Sequence, residues 1–329
     1  MWKPLAQSFD WLLSRTLARW VRPRGEVPRP AAVADDPDVV AWLDTVNVEF
    51  LPVGQPLAKL AESDSEAFQE FAFASPVASC WRENQTVRGL AMGPPDADRA
   101  VILLHGAYED NYRHSVWMAR CFTRHGYRVY IPEGPCHHRR TPPGVFSGSP
   151  MFWSSELVVA SMHQWLAETR GLMGYLRRRG MGQIGLYGYS LGSLVGGLAA
   201  TLWDDFDFLA MLSPVGSHVD AIEQSPIAVR IWPWMKNLPA EERALLNRWA
   251  AVHRPPRIEP MQFFITRHDR LQPRELQEAW WQSWGRPPRR DYPHAHLSVH
   301  FAKTFYDDLA AFAAEQALVR PTPAVKRLG

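Results

Sequence analysis

The stretch Gly185-Leu186-Tyr187-Gly188-Tyr189-Ser190-Leu191-Gly192-Ser193 (GLYGYSLGS) decides how this chain is read. An apolar run, IGLYG (184–188), leads into it, and the helix-forming run LGSLVGGLAATLW (191–203) leads out. A serine at the point where a buried strand becomes a helix sits on a sharp, strained turn, and glycines two before and two after leave room for strand and helix to close. Its hydroxyl stands at a helix N-terminus, where backbone N–H groups and the helix dipole favour developing negative charge. Ser190 therefore reads as a nucleophile. The alternative is a glycine-rich packing turn.

Working outward, the pattern on both sides alternates strand and helix. AVILLHG (100–106) is a continuous apolar run, as expected of a strand buried on both faces. A helix is predicted over 111–125, a second buried strand over 127–134, and a long helix over 155–179 that closes on Arg177-Arg178-Arg179-Gly180, with cations at the negative end of the dipole. Further strands are predicted at 206–212, 261–267 and about RRDYP, with helices near 273–284 and from Leu297 to Leu318. Two β-leaning stretches, FQEFAFASPVAS and TVRGLAMGP, precede the regular part. Such alternation predicts an α/β fold, a mostly parallel, doubly wound sheet with helices on both faces.

The chain as a whole sets bounds on function. Its 329 residues can bury a large core, and 46% hydrophobic with 21% charged residues describe an ordinary globular protein. A net charge of +2 gives no argument for a nucleic-acid partner. Three scattered cysteines, Cys80, Cys121 and Cys136, argue against a disulfide framework and fit a reducing, cytoplasmic setting. No 18-residue apolar run predicts a membrane span. The N-terminal segment does not read as a secretory signal, because Asp10, Arg15 and Arg19 interrupt its apolar residues. Leu5, Phe9, Leu12, Leu13, Leu17, Trp20 and Val21 recur at helical spacing as one stripe. A basic amphipathic helix of this kind can make weak contact with an anionic membrane surface; the alternative is that the stripe docks on the protein's own body. Residues 22–40, rich in Pro, Ala and charge, read as a connector, so 1–64 are taken as an N-terminal helical extension and linker, 65–318 as the main domain, and 319–329 as a flexible tail.

A serine nucleophile needs a base, and the base an orienting group. In doubly wound sheets these gather at the carboxyl ends of strands. Asp269 follows the strand MQFFITR, and YPHAHLSVH offers His294, His296 and His300; Asp220 is the alternative acid. Spacing from Ser190 does not choose among the three histidines. His296 lies on the loop itself beside small Ala295, whereas His300 is expected one turn into the terminal helix. Upstream, Leu104-His105-Gly106-Ala107 ends a strand, where the amide of Ala107 can turn toward the site and, with that of Leu191, form an oxyanion hole. Tyr108 and Tyr189, beside these donors, are expected to bind substrate.

Taken together, LLHGAYED, GYSLG, ITRHDRLQP and HAHLS resemble the α/β hydrolases over residues of roughly 65 to 316. IPEGPCHHRRTPPGVFSGSPMFW resembles a bacterial branch distantly related to the eukaryotic α/β-hydrolase-domain-containing protein eighteen. The branch places its base in a Gly-His-(Ile/Leu)-Ser context, which maps onto Ala295-His296-Leu297-Ser298, with Ala in place of Gly. The resemblance implies an α/β-hydrolase fold, a Ser190-Asp269-His296 triad, a small-molecule or lipid-like acyl substrate, hydrolysis of esters, thioesters or amides, and no cofactor.

Residues 214–258 form an apolar, aromatic insertion at a place where this fold commonly carries a lid, and Trp232 and Trp234 are expected to border the site. The alternative is a helical pair packed on the body. His294 and His296 on one strand face, and His296 and His300 one helical turn apart, each form a pair with a spacing compatible with metal, but no carboxylate or third ligand is arranged nearby, so no metal is expected. The His137-His138-Arg139-Arg140 run either faces an anionic group of the substrate or lies in a solvated loop. An acyltransferase with the same triad, and a catalytically inactive binding protein with this fold, are the competing functions.

Overall fold

The computed structural model describes residues 3–23, 26–30, 36–53 and 68–319. Parts of the predicted connector, the predicted start of the main domain at 65, and the tail from 320 onward lie outside the described residues. In chain order the elements are α1 (Lys3–Trp20), α2 (Asp36–Thr45), β1 (Gln69–Ala74), β2 (Thr86–Met92), β3 (Arg99–Leu104), α3 (Arg113–Thr123), β4 (Arg128–Pro132), α4 (Ser155–Arg178), β5 (Gln183–Tyr189) and α5 (Leu191–Leu202). Then follow β6 (Phe208–Leu212), α6 (His218–Gln224), α7 (Ala228–Ile231), α8 (Ala240–Asn247), β7 (Met261–Thr266), α9 (Arg274–Ser283), β8 (Arg289–Tyr292) and α10 (Lys303–Leu318).

The eight strands form one sheet in the order β1-β2-β4-β3-β5-β6-β7-β8. β2 runs antiparallel to both β1 and β4, and all remaining neighbours are parallel. The apolar run of β3 is explained by its two buried faces. Ala100, Ile102 and Leu104 pack with Leu166 and Leu172 of α4 and Leu194 and Leu198 of α5. Val101 and Leu103 point the other way, to Phe122 of α3 and Phe305, Leu309 and Phe312 of α10. Each such side chain removed from water stabilises the fold by about 1.5–3 kcal/mol, which makes this central layer the main source of stability.

Three readings change. Residues 36–40 belong to α2 rather than to a connector, and Leu43 of that helix is fully buried. α10 begins at Lys303, not Leu297; residues 298–301 form a separate short turn. The N-terminal stripe is also different. Among the described side chains of α1 and its exit, Asp10, Leu17 and Val21 are buried, whereas Leu12 and Trp20 are 63% and 51% exposed. α1 docks on the body, packed against α7, through a face that contains an acid. Among the described residues no helix is long and apolar enough to cross a membrane.

Candidate active site

The elbow is built by steric necessity. β5 ends at Tyr189 and α5 starts at Leu191, so Ser190 alone makes the turn, at φ 52° and ψ −117°. That backbone region is costly for a residue with a side chain and persists only where surroundings impose it. Its amide is held by the Leu212 carbonyl at 3.0 Å. A methyl group at Gly188 would meet the Gly192 carbonyl oxygen at 2.6 Å, and one at Gly192 would meet the Leu104 carbonyl oxygen at 2.1 Å. Both glycines are required by close approach. Ser193 fixes the next turn, its hydroxyl donating to the Ser190 carbonyl and accepting the Val215 amide at 2.8 Å.

Ser190 Oγ donates to His296 Nε2 at 2.8 Å, and His296 Nδ1–H donates to Asp269 Oδ2 at 2.6 Å. Asp269 is fixed in turn: Oδ2 accepts from Thr266 Oγ1 at 3.0 Å, and Oδ1 from the amides of Leu271 and Gln272 at 2.9 and 2.8 Å. All three residues are buried. Burial pulls the His296 pKa down, but the Asp269 carboxylate, its hydrogen bond and the nearby Asp10 together carry it above the ordinary 6.5. The ring is thus held ready to accept a proton. The other two histidines point elsewhere. His300 stacks on His114 at 4.3 Å and packs edge-on to Tyr189 at 4.6 Å, and His294 is half-buried beyond the site. Asp220 lies near the start of α6 with its amide on Ser217 and makes no contact with the three.

Among the described residues neither the Ala107 nor the Leu191 amide has an acceptor in the protein, and both residues line the cavity above Ser190. The loop carrying Ala107 is braced on each side. The Gly106 amide donates to Glu109 Oε1 at 3.0 Å, and that of Tyr108, at φ 64°, donates to His137 Nε2 at 3.1 Å. His105 does the same for the neighbouring loop, its Nε2 accepting the Gly134 amide at 2.9 Å. Since an amide only donates, each ring carries its proton on Nδ1, which meets the carbonyl of Gly106 in one case and Pro135 in the other.

The His137–Arg140 run does not reach the cavity, which corrects the substrate-facing reading. His137 and Arg140 are fully buried. Arg140 grips Glu168 in a bidentate pair at 2.6 and 2.8 Å and also donates to the carbonyls of Glu133 and Asn84. Arg139 pairs with Glu133 and Glu70. The run is a polar strut under the loop that carries Ala107, with His137 and Arg140 fully buried and His138 and Arg139 partly so. Trp234 is a second correction: its indole N–H donates to the Phe152 carbonyl, and it is absent from the cavity wall. Tyr108, Tyr189 and Trp232 do line it, with Trp232 Nε1 donating to Tyr108 Oη at 2.6 Å.

The cavity has a volume of about 260 Å³. Ala107, Leu191, Phe146 and Phe152 meet Val215, Ile222, Ile231, Trp232 and Met235 of the 214–258 insertion, which roofs the site and also buries Leu246 and Ile258 in the core. Among the described residues no Lys or Arg lines it, and the acids there are Glu109 and Asp110. Burial raises the Glu109 pKa to about 7, opposed by hydrogen bonds from the Gly106 amide and Ser115. Leu17 of α1 and the buried His218 and Gln272, all missed in the sequence, complete the wall. His105, Glu109 and His138 bring ligand atoms within 4.8 Å of one another, yet both nitrogens of His105 and both oxygens of Glu109 are already engaged in hydrogen bonds. His105 and Glu109 are thus a hydrogen-bonded brace, and His138, whose ring stacks on Tyr112 and has no hydrogen-bond partner among the described residues, is left as a single free ligand, too few to hold an ion.

A family model described as alpha/beta hydrolase domain containing 18 matches residues 41–221, which include the elbow. The chain belongs to this alpha/beta hydrolase family. Among solved structures it is similar to an acetyl xylan esterase from Paenibacillus sp. R4, with 14% identity over 91% of this chain and 98% of that one and a TM-score of 0.61. It resembles acetyl xylan esterase 1 from Thermoanaerobacterium sp. JW/SL YS485 equally well, with 13% identity, coverage of 92% and 98%, and a TM-score of 0.60. A Pyrococcus horikoshii acylaminoacyl peptidase gives 12% identity and a TM-score of 0.58; the match covers 76% of this chain, which spans only 41% of that protein. At these identities the likeness is one of fold. A search of curated proteins found no match to the sequence. In this alpha/beta hydrolase Ser190 stands at the carboxyl end of β5 in an eight-stranded sheet.

Proposed function

We propose that this alpha/beta hydrolase is a serine hydrolase that cleaves a carboxylic ester or thioester with an uncharged acyl group, through a Ser190 acyl-enzyme. The observation that carries this reading is the relay Ser190 Oγ–His296–Asp269, at 2.8 and 2.6 Å, on the floor of an apolar cavity with two amides that lack acceptors. His296 Nε2 takes the Ser190 proton as Oγ attacks the carbonyl carbon. The developing oxyanion is met by the Ala107 and Leu191 amides, the second reinforced by the α5 dipole. Asp269 holds the imidazolium, which then protonates the leaving alkoxide or thiolate. Water, deprotonated by His296, attacks the acyl-enzyme carbonyl, and the acid is released as His296 returns that proton to Ser190 Oγ. A wall with no Lys or Arg among the described residues favours an uncharged acyl group over a carboxylate- or phosphate-bearing one.

The test is labelling with a fluorophosphonate probe followed by mapping of the modified peptide, run beside p-nitrophenyl esters of increasing chain length. The expected result is a single adduct on Ser190 and turnover of at least one uncharged ester. A folded protein that neither labels nor turns over any member of the series would overturn the proposal.

A further inference from the structure

Asp10 lies on the buried face of α1, only 1% exposed, and is no member of the relay. One carboxylate oxygen, Oδ2, accepts from two backbone amides: Arg270 at 3.1 Å and His296 at 3.4 Å. The first amide directly follows the acid Asp269; the second belongs to the base itself. The other oxygen, Oδ1, is buried with no hydrogen-bond partner. The helix that carries Asp10 is held near its far end, where the Val21 carbonyl accepts the Trp153 indole N–H at 2.8 Å, and Leu17 between them forms part of the cavity wall.

A half-satisfied buried carboxylate is unfavourable, and an apolar residue would suit this helix face better. Its placement between the acid and base loops calls for a compensating role. We propose that Asp10 is a positioning residue for the triad: it ties the acid loop to the base loop through their amides and adds a second negative charge behind the His296 imidazolium. The proposal rests on the Ser190-Asp269-His296 reading of the site. The groups acting on Asp10 are Asp269, which repels it, and His296, which attracts it. Of the cations on the packed elements, Arg230 on α7 is exposed, the Arg270 side chain is half-buried, and Arg15 on α1 lies over Trp11 at 4.6 Å. Burial and then Asp269 raise the Asp10 pKa to about 6, so Asp10 is ionised when His296 loses its proton at higher pH.

The experiment is the pH profile of kcat/KM in the full chain with an uncharged p-nitrophenyl ester. Asp10→Asn keeps an acceptor oxygen for the two amides and removes only the charge. With that charge gone the imidazolium is less stable, so the acid limb is expected to move to lower pH by about half a unit. Asp10→Ala removes the acceptor as well and is expected to lower kcat about tenfold with KM within about twofold. A folded Asp10→Asn protein with an unmoved limb, or a folded Asp10→Ala protein with wild-type kcat, overturns the proposal. Should Asp10→Asn fail to fold, Asp10→Ser carries the same two readings. Ser190→Ala separates the two failures: undiminished turnover there brings down the triad reading itself, whereas loss of turnover there with an unmoved Asp10→Asn limb brings down only the role of Asp10.

Discussion

His137 Nε2 accepts the Tyr108 amide hydrogen at 3.1 Å, so the residue next to Ala107 is held by an imidazole from the loop after β4. Tyr108 sits at φ 64°, a conformation that only fixed surroundings sustain. His137→Ala is therefore expected to lower kcat by about tenfold or more, less than deletion of an oxyanion donor itself, with KM nearly unchanged. Steady-state kinetics on a variant verified as folded check this. An unchanged kcat would show that the loop holds its shape without the imidazole.

The relay predicts strong, non-additive losses. Ser190→Ala should abolish fluorophosphonate labelling. His296→Ala should cost roughly 10³–10⁶ in kcat and Asp269→Asn roughly 10²–10⁴, with the double variant little worse than His296→Ala. Multiplying losses would detach Asp269 from His296. The pH sign follows from the raised His296 pKa: the neutral ring is the base, so kcat/KM should rise with pH through a midpoint above 6.5. A midpoint below that value would contradict the electrostatics of the site.

The two tryptophans of the insertion should behave differently. Trp232 lines the cavity and bonds Tyr108, whereas Trp234 is turned onto the Phe152 carbonyl. Trp232→Ala is expected to shift the preferred ester chain length, and Trp234→Ala to lower the melting temperature while leaving that preference alone. A chain-length series with thermal melts separates the two effects.

Close approach at the elbow makes a stability prediction. A methyl group at Gly192 would sit 2.1 Å from a backbone oxygen, which cannot yield, and Gly192→Ala should cost about 3 kcal/mol or more. At Gly196 the nearest atom is a leucine methyl at 3.5 Å, ordinary contact, so Gly196→Ala should be tolerated. Denaturant melts of the pair provide the comparison.

The parts of this protein legible in its sequence are those governed by local periodicity and turn chemistry. β3 and β5 declare themselves as apolar runs because both faces are covered, and the Ser190 elbow because only glycine fits two residues to either side. His296 is set apart from His294 and His300 in the sequence by its place on the loop. What local pattern could not show is long-range polar pairing. His137, Arg139 and Arg140 look like a solvated charged run, yet their partners Tyr108, Glu133, Glu70 and Glu168 come from distant segments. Asp10 was hidden in the same way. A signal did exist: Asp10, Leu17 and Val21 fall seven and eleven residues apart, on one helix face, and an acid on an otherwise apolar face asks for a partner. The exposed Leu12 and Trp20 drew the stripe to the wrong side.

The Asp10–His296 contact spans 286 residues of chain. At ribosomal speeds of about 5–20 residues per second, α1 leaves the tunnel roughly 15–60 seconds before the loop it touches has been made. The indole of Trp153 and helix α7, which also hold α1, lie earlier in the chain than that loop, so part of the native seat for its apolar face is made first. Of the hydrogen bonds that join α1 and its exit to Trp153, Arg270 and His296, the one to His296 is the last that synthesis makes possible.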